Sequence, residues 1–284
     1  ALRILRLYRF AARFGFVLDP ATAQAAQELC AHLDCVSVER IEEELAKLLA
    51  APAPAAYLDE KILGVVLPEL SPEALAAAKP VVDACPAGSE NLPVRLAALL
   101  LSLGEDGTRR TLKRLRCSNN RIEETAVLVR EVAGRGSTGS FLFGHGLGHS
   151  IARPTACGSR VPPQRTVLGK TPVTPDFTLY TRKLLGKYNL CTVQRLAALG
   201  TAMQPEHAAD FVALSELAAQ LDADGVCCRV GQLAVNGRDL MAAGIPAGPG
   251  IRKVLEALLD GVIREEYPNE REALLAAVQQ LAAS

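Results

Sequence analysis

The chain opens on Ala1-Leu-Arg-Ile-Leu-Arg-Leu-Tyr-Arg-Phe-Ala-Ala-Arg-Phe-Gly-Phe16, a stretch with the residue spacing of an amphipathic helix. When successive residues are placed about 100° apart, its apolar side chains fall within one arc. That arc holds Ile4, Leu7, Tyr8, Ala11 and Phe14. The pattern therefore predicts a helix over residues 2–16 that packs its apolar face against other elements.

The other side of this helix carries Arg6, Arg9 and Arg13, with Arg3 at its border, and no acidic residue precedes Asp19. A row of arginines is commonly a solvated surface without a ligand. The lack of counter-charges nearby in the sequence favours a second interpretation, an anionic partner such as a nucleotide or a phosphate backbone. Both interpretations stay open on the sequence alone, and the second is preferred.

The composition extends the helical prediction to the rest of the chain. Of 284 residues, 49% are hydrophobic but only 4% are aromatic, and Trp is absent, so the core must be built from Ala, Leu and Val. Alanine and leucine are strong helix formers, which predicts an all-α fold, an elongated array of helical units. Asp19 and Pro20 resemble a helix cap and first turn, and Asn269 is expected to cap the last helix. Further helices are expected near 58–66, 72–82, 93–103, 109–115, 120–132, 179–185, 192–199, 205–221 and 251–263.

Four segments are predicted along the chain: 1–55, 56–133, 134–177 and 178–284. The third is rich in Gly, Ser, Thr and Pro and shows no helix or strand period. An irregular connection of this length is unusual inside a compact domain. It is therefore interpreted as an irregular insertion, a disordered segment or a corrupted stretch of sequence.

Charge and cysteine content narrow the class of protein. Lys and Arg total 31 and Asp and Glu total 31, so the net charge is zero and any binding of nucleic acid must come from local clusters. No apolar run is long enough to span a membrane and no signal peptide is evident, so no membrane partner is expected. The eight cysteines form no CxxC pair, which favours reduced thiols and a cytoplasmic protein.

Catalytic and metal-binding motifs are not predicted. His145 and His149 have the spacing of two zinc ligands, but glycines surround them and no third ligand lies nearby. Asp222-Ala-Asp224 follows a helical run and precedes a glycine, which indicates a helix end rather than a pair of metal ligands. The chain also lacks a P-loop, a nucleophile elbow and a Cys–His pairing. We therefore expect no catalytic residue and no metal site within it.

The tail contains a candidate phosphate-binding turn, Gly248-Pro-Gly250. A helix starting there would leave backbone N–H groups free, with Arg252 and Lys253 beside them and Arg238 on the preceding element. Such a helix start favours the binding of an RNA phosphate group. The alternative is a tight connection between two helices in which Gly and Pro only make the bend.

In order along the chain, three strings resemble the class II tRNA nucleotidyltransferases, the family of CCA-adding enzymes and bacterial poly(A) polymerases. The resemblance implies a helical neck over 1–55, a helical body over 56–133 and, from 178 to 284, the end of the body and the tail. The strings are Ala1 to Phe16, Val36-Ser-Val-Glu-Arg-Ile-Glu-Glu-Glu-Leu-Ala-Lys-Leu-Leu49, and Leu233-Ala-Val-Asn-Gly-Arg-Asp-Leu-Met-Ala-Ala-Gly-Ile-Pro-Ala-Gly-Pro-Gly250.

In that family the neck helix opens with Glu-Asp-x-x-Arg, whose Asp and Arg read the base edges of CTP and ATP. The resemblance carries the arginine over to Arg3, with Arg6 and Arg9 as basic positions that support the nucleotide. It implies tRNA, CTP and ATP as partners, with no protein partner inferred. It also implies a catalytic head upstream, where Asp-x-Asp holds Mg²⁺. We expect the chain to begin just after the Glu and Asp, and to be inactive on its own.

A second function from a different class stays open, a non-catalytic helical module that binds RNA or DNA. An Asp-x-Asp motif on a strand upstream in the gene would favour the enzyme, and its absence would favour the module. The sequence also leaves open whether the parent protein adds CCA, only CC, only A, or poly(A).

Overall fold

The computed structural model of the chain describes residues 1–133, 167–168, 171–172, 175–246 and 248–282. Over these residues it contains fourteen α-helices and one strand pair, which confirms the predicted all-α fold. In the first half lie α1 (Leu2–Phe14), α2 (Pro20–Glu28), α3 (Val38–Leu49), α4 (Glu60–Val66), α5 (Pro72–Ala84), α6 (Leu92–Leu100), α7 (Gly104–Arg114) and α8 (Asn119–Ala133). In the second half lie α9 (Pro175–Lys187), α10 (Leu190–Met203), α11 (Ala208–Ala223), α12 (Gly237–Ala242), α13 (Pro249–Ile263) and α14 (Arg271–Ala282).

The strands β1 (Val167–Leu168) and β2 (Thr171–Pro172) pair antiparallel. They fall inside the segment 134–177 predicted to be irregular. Most of that segment, including His145 and His149, lies outside the described residues, so the predictions made for it stay predictions.

The described residues divide into two compact units. The first comprises Ala1–Gly146 and Arg195–Val212, and the second comprises Leu147–Gln194 and Ala213–Ser284, each over its described part. The four segments predicted from the sequence stay a prediction.

At the centre of the first unit lies α6, in which every residue from Leu92 to Leu100 is buried. Arg95 is the one charged residue of this helix and is only 1% exposed. Its guanidinium donates to the carbonyl oxygen of Cys85 at the end of α5 (2.9 Å) and to that of Leu49 at the end of α3 (2.5 Å). It also donates to the carbonyls of Ala51 and Pro52. Because the last carbonyls of a helix have no partner within the helix, Arg95 satisfies two helix ends from inside the core.

Capping residues fix where the helices begin, and one of the two expected caps is present. Asp19 accepts from the backbone N–H of Thr22 (2.9 Å), so the predicted cap of α2 is confirmed. The expected cap at Asn269 is wrong. Its side chain instead accepts from the N–H of Ala234 (2.9 Å) and donates to the carbonyl of Gln232 (2.9 Å), which ties the start of α14 to the segment before α12.

Three helices of the second unit, α12, α13 and α14, share one apolar cluster. It consists of Val235, Leu240, Leu258, Leu274, Ala277 and Val278. Since α12 has only 6 residues, its position depends on this packing rather than on intrinsic helix stability.

Candidate nucleic-acid interface

Helix α1 has the two faces that the sequence predicts. Its buried side is Ile4, Leu5, Tyr8, Ala11 and Ala12, and its main packing partner is α3. On the other side Arg3, Arg6 and Arg13 are exposed to solvent. Three of the four arginines are therefore available to a ligand.

Arg9 differs from the other three because it has an acidic partner. Its Nε atom lies 3.0 Å from Oε2 of Glu44 on α3, and the two side chains are only 11% and 9% exposed. Its guanidinium also lies 4.0 Å from the centre of the Phe10 ring. The premise that the arginine row lacks counter-charges is therefore wrong at Arg9. The contact spans too many residues for a helical wheel to show it.

The end of α1 exposes aromatic rings that the sequence places in the buried face. Phe14 is 55% exposed and Phe16 is 60% exposed, so the assignment of Phe14 to the packed face is wrong. Gly15 has a φ of 68°, and the N–H of Phe16 donates to the carbonyl of Ala11 (3.0 Å). This left-handed turn ends the helix at Phe14 and turns the chain so that Phe16 lies beside Phe14.

A polar contact joins α1 to α4. The hydroxyl of Tyr8 donates to Oδ2 of Asp59 (3.5 Å), and Gln27 donates to the same oxygen (2.7 Å). Asp59 also caps α4. Burial, together with the negative charge of Asp59, raises the pKa of Tyr8 to about 12. Through Asp59, α1 therefore contacts the start of α4 and the end of α2.

In the tail, α13 begins at Pro249, just after Gly248 with its φ of 150°, and Gly248 and Gly250 are both exposed. The predicted helix start is confirmed. Lys253 is exposed. Arg252 is exposed as well, but its Nε atom lies 2.8 Å from Oε1 of Glu256, and this hydrogen bond raises the pKa of Arg252. A phosphate at this turn would compete with Glu256 for Arg252.

The start of α12 lies beside the start of α13, and the start of α14 contacts α12. A side chain on Gly237, the first residue of α12, would place its Cβ 3.3 Å from Ile251, so α12 and α13 begin next to each other. Arg271, the first residue of α14, forms an ion pair with Asp239 of α12 at 2.7 Å. Arg238, the residue after Gly237, is exposed. The structure thus brings Arg238 to the same region as the Gly248 turn and adds Arg271, which sequence reasoning missed because its contact is long-range.

The remaining predictions concern metal ions, helix ends, cysteines and membrane spans. Among the described residues, no group of three or more His, Cys, Asp or Glu residues could hold a metal ion. Asp222 lies in the last turn of α11 and Gly225 follows with a φ of 66°, which confirms the predicted helix end. The seven described cysteines are free thiols, and Cys157 lies outside the described residues. No described helix is long and apolar enough to cross a membrane.

Comparisons with known proteins agree with this arrangement. The family described as "Probable RNA and SrmB- binding site of polymerase A" matches residues 15–73, and the family "tRNA nucleotidyltransferase domain 2 putative" matches residues 176–278. The CCA-adding enzyme of Geobacillus stearothermophilus is 27% identical over 97% of this chain and 59% of its own length. That of Limosilactobacillus fermentum is 26% identical over 99% of this chain and 60% of its own length.

A solved structure shares the fold. The crystal structure of the Bacillus stearothermophilus CCA-adding enzyme in complex with CTP superposes on this chain with a TM-score of 0.70 at 23% sequence identity. The match covers 99% of this chain and 62% of the chain in that crystal structure. The chain thus spans about three fifths of the length of the relatives it matches. These findings show that the chain is similar to CCA-adding enzymes over nearly its whole length and shares its fold with one of them.

Proposed function

We propose that the chain supplies base selection and tRNA binding to a tRNA nucleotidyltransferase that adds C and A, from CTP and ATP, to the 3′ ends of tRNA. One observation carries this proposal: the similarity to CCA-adding enzymes runs over 97% of the chain. Two features of the structure support it, because positive charge and helix N-termini attract phosphate. They are the three exposed arginines of α1 and the basic residues at helix starts in the tail.

The neck helix α1 selects the base. Arg3 lies in its first turn and is exposed, so its guanidinium can donate hydrogen bonds to the edge of an incoming base. A wrong base leaves buried polar groups unpaired, which is the physical source of selection. Arg6, also exposed, lies one turn further along the helix and supports the phosphates. Arg9 acts as a positioning residue, because its ion pair with Glu44 fixes α1 on α3.

The tail binds tRNA through its phosphates. Arg238, Arg252 and Lys253 are exposed in the region of Gly248 and Gly250, and the first N–H groups of α13 have no partner within the helix. Of these, the N–H of Ile251 donates to the carbonyl of Gly248 (3.2 Å), and that of Gly250 faces no acceptor in the helix. Positive side chains and free N–H groups both favour phosphate oxygens without reading sequence. This suits a protein that must accept every tRNA.

The metal and the transfer step belong elsewhere in this proposal. Among the described residues, no group of three or more His, Cys, Asp or Glu side chains could hold a metal ion such as Mg²⁺. By the resemblance to tRNA nucleotidyltransferases, we assign Mg²⁺ and the catalytic carboxylates to a head domain, and expect this chain alone to transfer no nucleotide. The free thiols are compatible with the cytoplasm, where tRNA is matured.

The test is incorporation of labelled CTP and ATP into tRNA that lacks its 3′ end, with this chain and the complete protein assayed side by side. We expect incorporation by the complete protein only, together with salt-sensitive binding of tRNA by both. The length and base composition of the product distinguish CCA, CC, A and poly(A) addition. Transfer by this chain alone contradicts the assignment of a separate head. Binding of tRNA without transfer by the complete protein would favour a non-catalytic RNA-binding module.

A further inference from the structure

We propose that the end of α1 carries a stacking site for an unpaired base of RNA, formed by the rings of Phe10, Phe14 and Phe16. This aromatic platform is distinct from the base-edge contact assigned to Arg3, because aromatic rings bind a base by stacking and not through hydrogen bonds. The inference rests on the proposed function only in taking RNA as the ligand.

The rings of the aromatic platform follow one another in a row. The centres of Phe10 and Phe14 are 6.1 Å apart with an angle of 6° between the rings, and those of Phe14 and Phe16 are 5.4 Å apart with an angle of 28°. Phe14 and Phe16 are more than half exposed, and the neighbouring Val17 is 97% exposed. Large apolar groups exposed side by side are unusual on a soluble surface and mark sites of contact.

The platform is held in place before any ligand arrives. Phe16 lies after the left-handed residue Gly15, and its N–H donates to the carbonyl of Ala11 (3.0 Å). The hydroxyl of Tyr57 donates to the carbonyl of Phe16 (3.2 Å), which ties the turn to the rest of the unit. A ring fixed by its backbone loses little conformational entropy on binding, so stacking on it is favourable.

The charge around the rings indicates the occupant. The guanidinium of Arg6 lies 5.7 Å from the centre of the Phe10 ring, and that of Arg13 lies 5.6 Å from the centre of Phe14. Residues 1–18 contain no acid. Of the carboxylates that other helices bring to α1, Glu44 is already paired with Arg9, and Asp59 accepts from Tyr8 on the buried side of the helix. A ligand with flat rings and regular negative charge complements this surface, and single-stranded RNA has both.

The test compares two ligands of equal charge. One is a fluorescent single-stranded RNA of about six nucleotides, and the other is the same ribose-phosphate chain without bases. We expect the protein to bind the intact strand about tenfold more tightly. Replacing both rings, with Phe14→Leu and Phe16→Leu, keeps the apolar character and is expected to remove that difference. Phe14→Tyr with Phe16→Tyr restores the rings and is expected to restore it.

Val212→Ala is the matched control, because Val212 is an apolar side chain exposed to 50% on another helix. It is expected to leave both affinities unchanged. Equal binding of intact and abasic strands, or no binding of either, overturns the inference and indicates a protein-contact surface at these rings. Neither result bears on tRNA binding by the tail, which is measured separately with variants at Arg252 and Lys253. The two proposals can therefore fail independently.

Discussion

Arg9 and Glu44 join the first and third helices through an ion pair with an Nε–Oε2 distance of 3.0 Å, in which both side chains are about nine-tenths buried. A buried charge is costly when its partner is removed, because the remaining charge has neither water nor a counter-charge around it. The pair therefore couples the exposed arginines of α1 to the core of the unit.

Glu44→Gln is expected to lower the free energy of unfolding by about 3 kcal/mol, because it leaves Arg9 buried without a counter-charge. The measurement is urea denaturation. Glu43→Gln is the matched control, since its carboxylate lies on the same helix, pairs with Lys47 and is 61% exposed. The control is expected to change little, and equal effects of the two variants would show that the Arg9–Glu44 pair contributes nothing specific.

Arg95→Met is expected to destabilise the first unit by about 4 kcal/mol, because it leaves several buried carbonyls without a donor. These carbonyls belong to Leu49, Ala51, Pro52 and Cys85. Arg95→Lys is not expected to restore stability, since an ammonium group cannot reach carbonyls that a guanidinium reaches with three nitrogens. Thermal unfolding of both variants checks this, and a lysine variant as stable as the original chain would refute it.

The sequence predicted what depends on local pattern. It identified the all-α class, the two-faced first helix, the Asp19 cap and the helix start near Gly248, because composition, periodicity and capping act over a few residues. It missed the partner of Arg9 and the role of Arg271, because both contacts join residues far apart in the chain.

Phe14 was placed wrongly for a related reason. A helical wheel describes a face but not how far the neighbouring elements extend along it, and here the buried residues of α1 end at Ala12, two residues before the end of the helix. The stretch without acidic residues up to Asp19 and the Phe-Gly-Phe16 sequence are the signals that the sequence offers for the aromatic platform. These signals predict adjacent exposed rings only when the left-handed conformation of Gly15 is known, because that turn places Phe16 beside Phe14.

Tyr8 is expected to make stability depend on alkaline pH. Its pKa is raised from 10.0 to about 12, so the folded chain holds this proton more tightly than the unfolded chain. The resulting stabilisation is complete below pH 10 and is lost as the pH rises from 10 to about 12. Comparing urea unfolding of the original chain and Tyr8→Phe across this range is the measurement. The variant is expected to lose less stability, and parallel curves would contradict the assignment.

Arg3→Ala is expected to weaken nucleotide selection in the complete protein. Losing one hydrogen bond from a charged group to a base edge costs about 1.5 to 3 kcal/mol, which corresponds to a loss of roughly 10- to 150-fold in kcat/KM. Discrimination of CTP and ATP against UTP and GTP is the measurement. Arg40→Ala, an exposed arginine on α3, is the control and is expected to change neither quantity. Unchanged discrimination in Arg3→Ala would make Arg3 a solvated surface residue.

Replacing Arg252 and Lys253 with Ala is expected to weaken tRNA binding and flatten its dependence on salt. For each phosphate that the variant no longer neutralises, the slope of log K against log salt should fall by about 0.7 to 0.9. Glu256→Gln is expected to strengthen tRNA binding and steepen its dependence on salt. The carboxylate of Glu256, which pairs with Arg252 at 2.8 Å, would be replaced by a neutral amide and leave Arg252 free for a phosphate. Salt titrations of these variants against intact tRNA provide the measurement.

Arg264→Ala supplies the matched control for the tail. Arg264 follows the opposite end of the same helix and is likewise exposed and paired with a carboxylate four residues away, at 2.7 Å from Asp260. If the start of α13 binds phosphate, only the Arg252 and Lys253 variant should lower the slope of log K against log salt. If Arg264→Ala lowers this slope equally, the effect comes from the overall charge of the protein and not from a site. If neither does, and only Gly248→Ala lowers stability because of the φ of 150° at that position, the turn is a structural connection between α12 and α13.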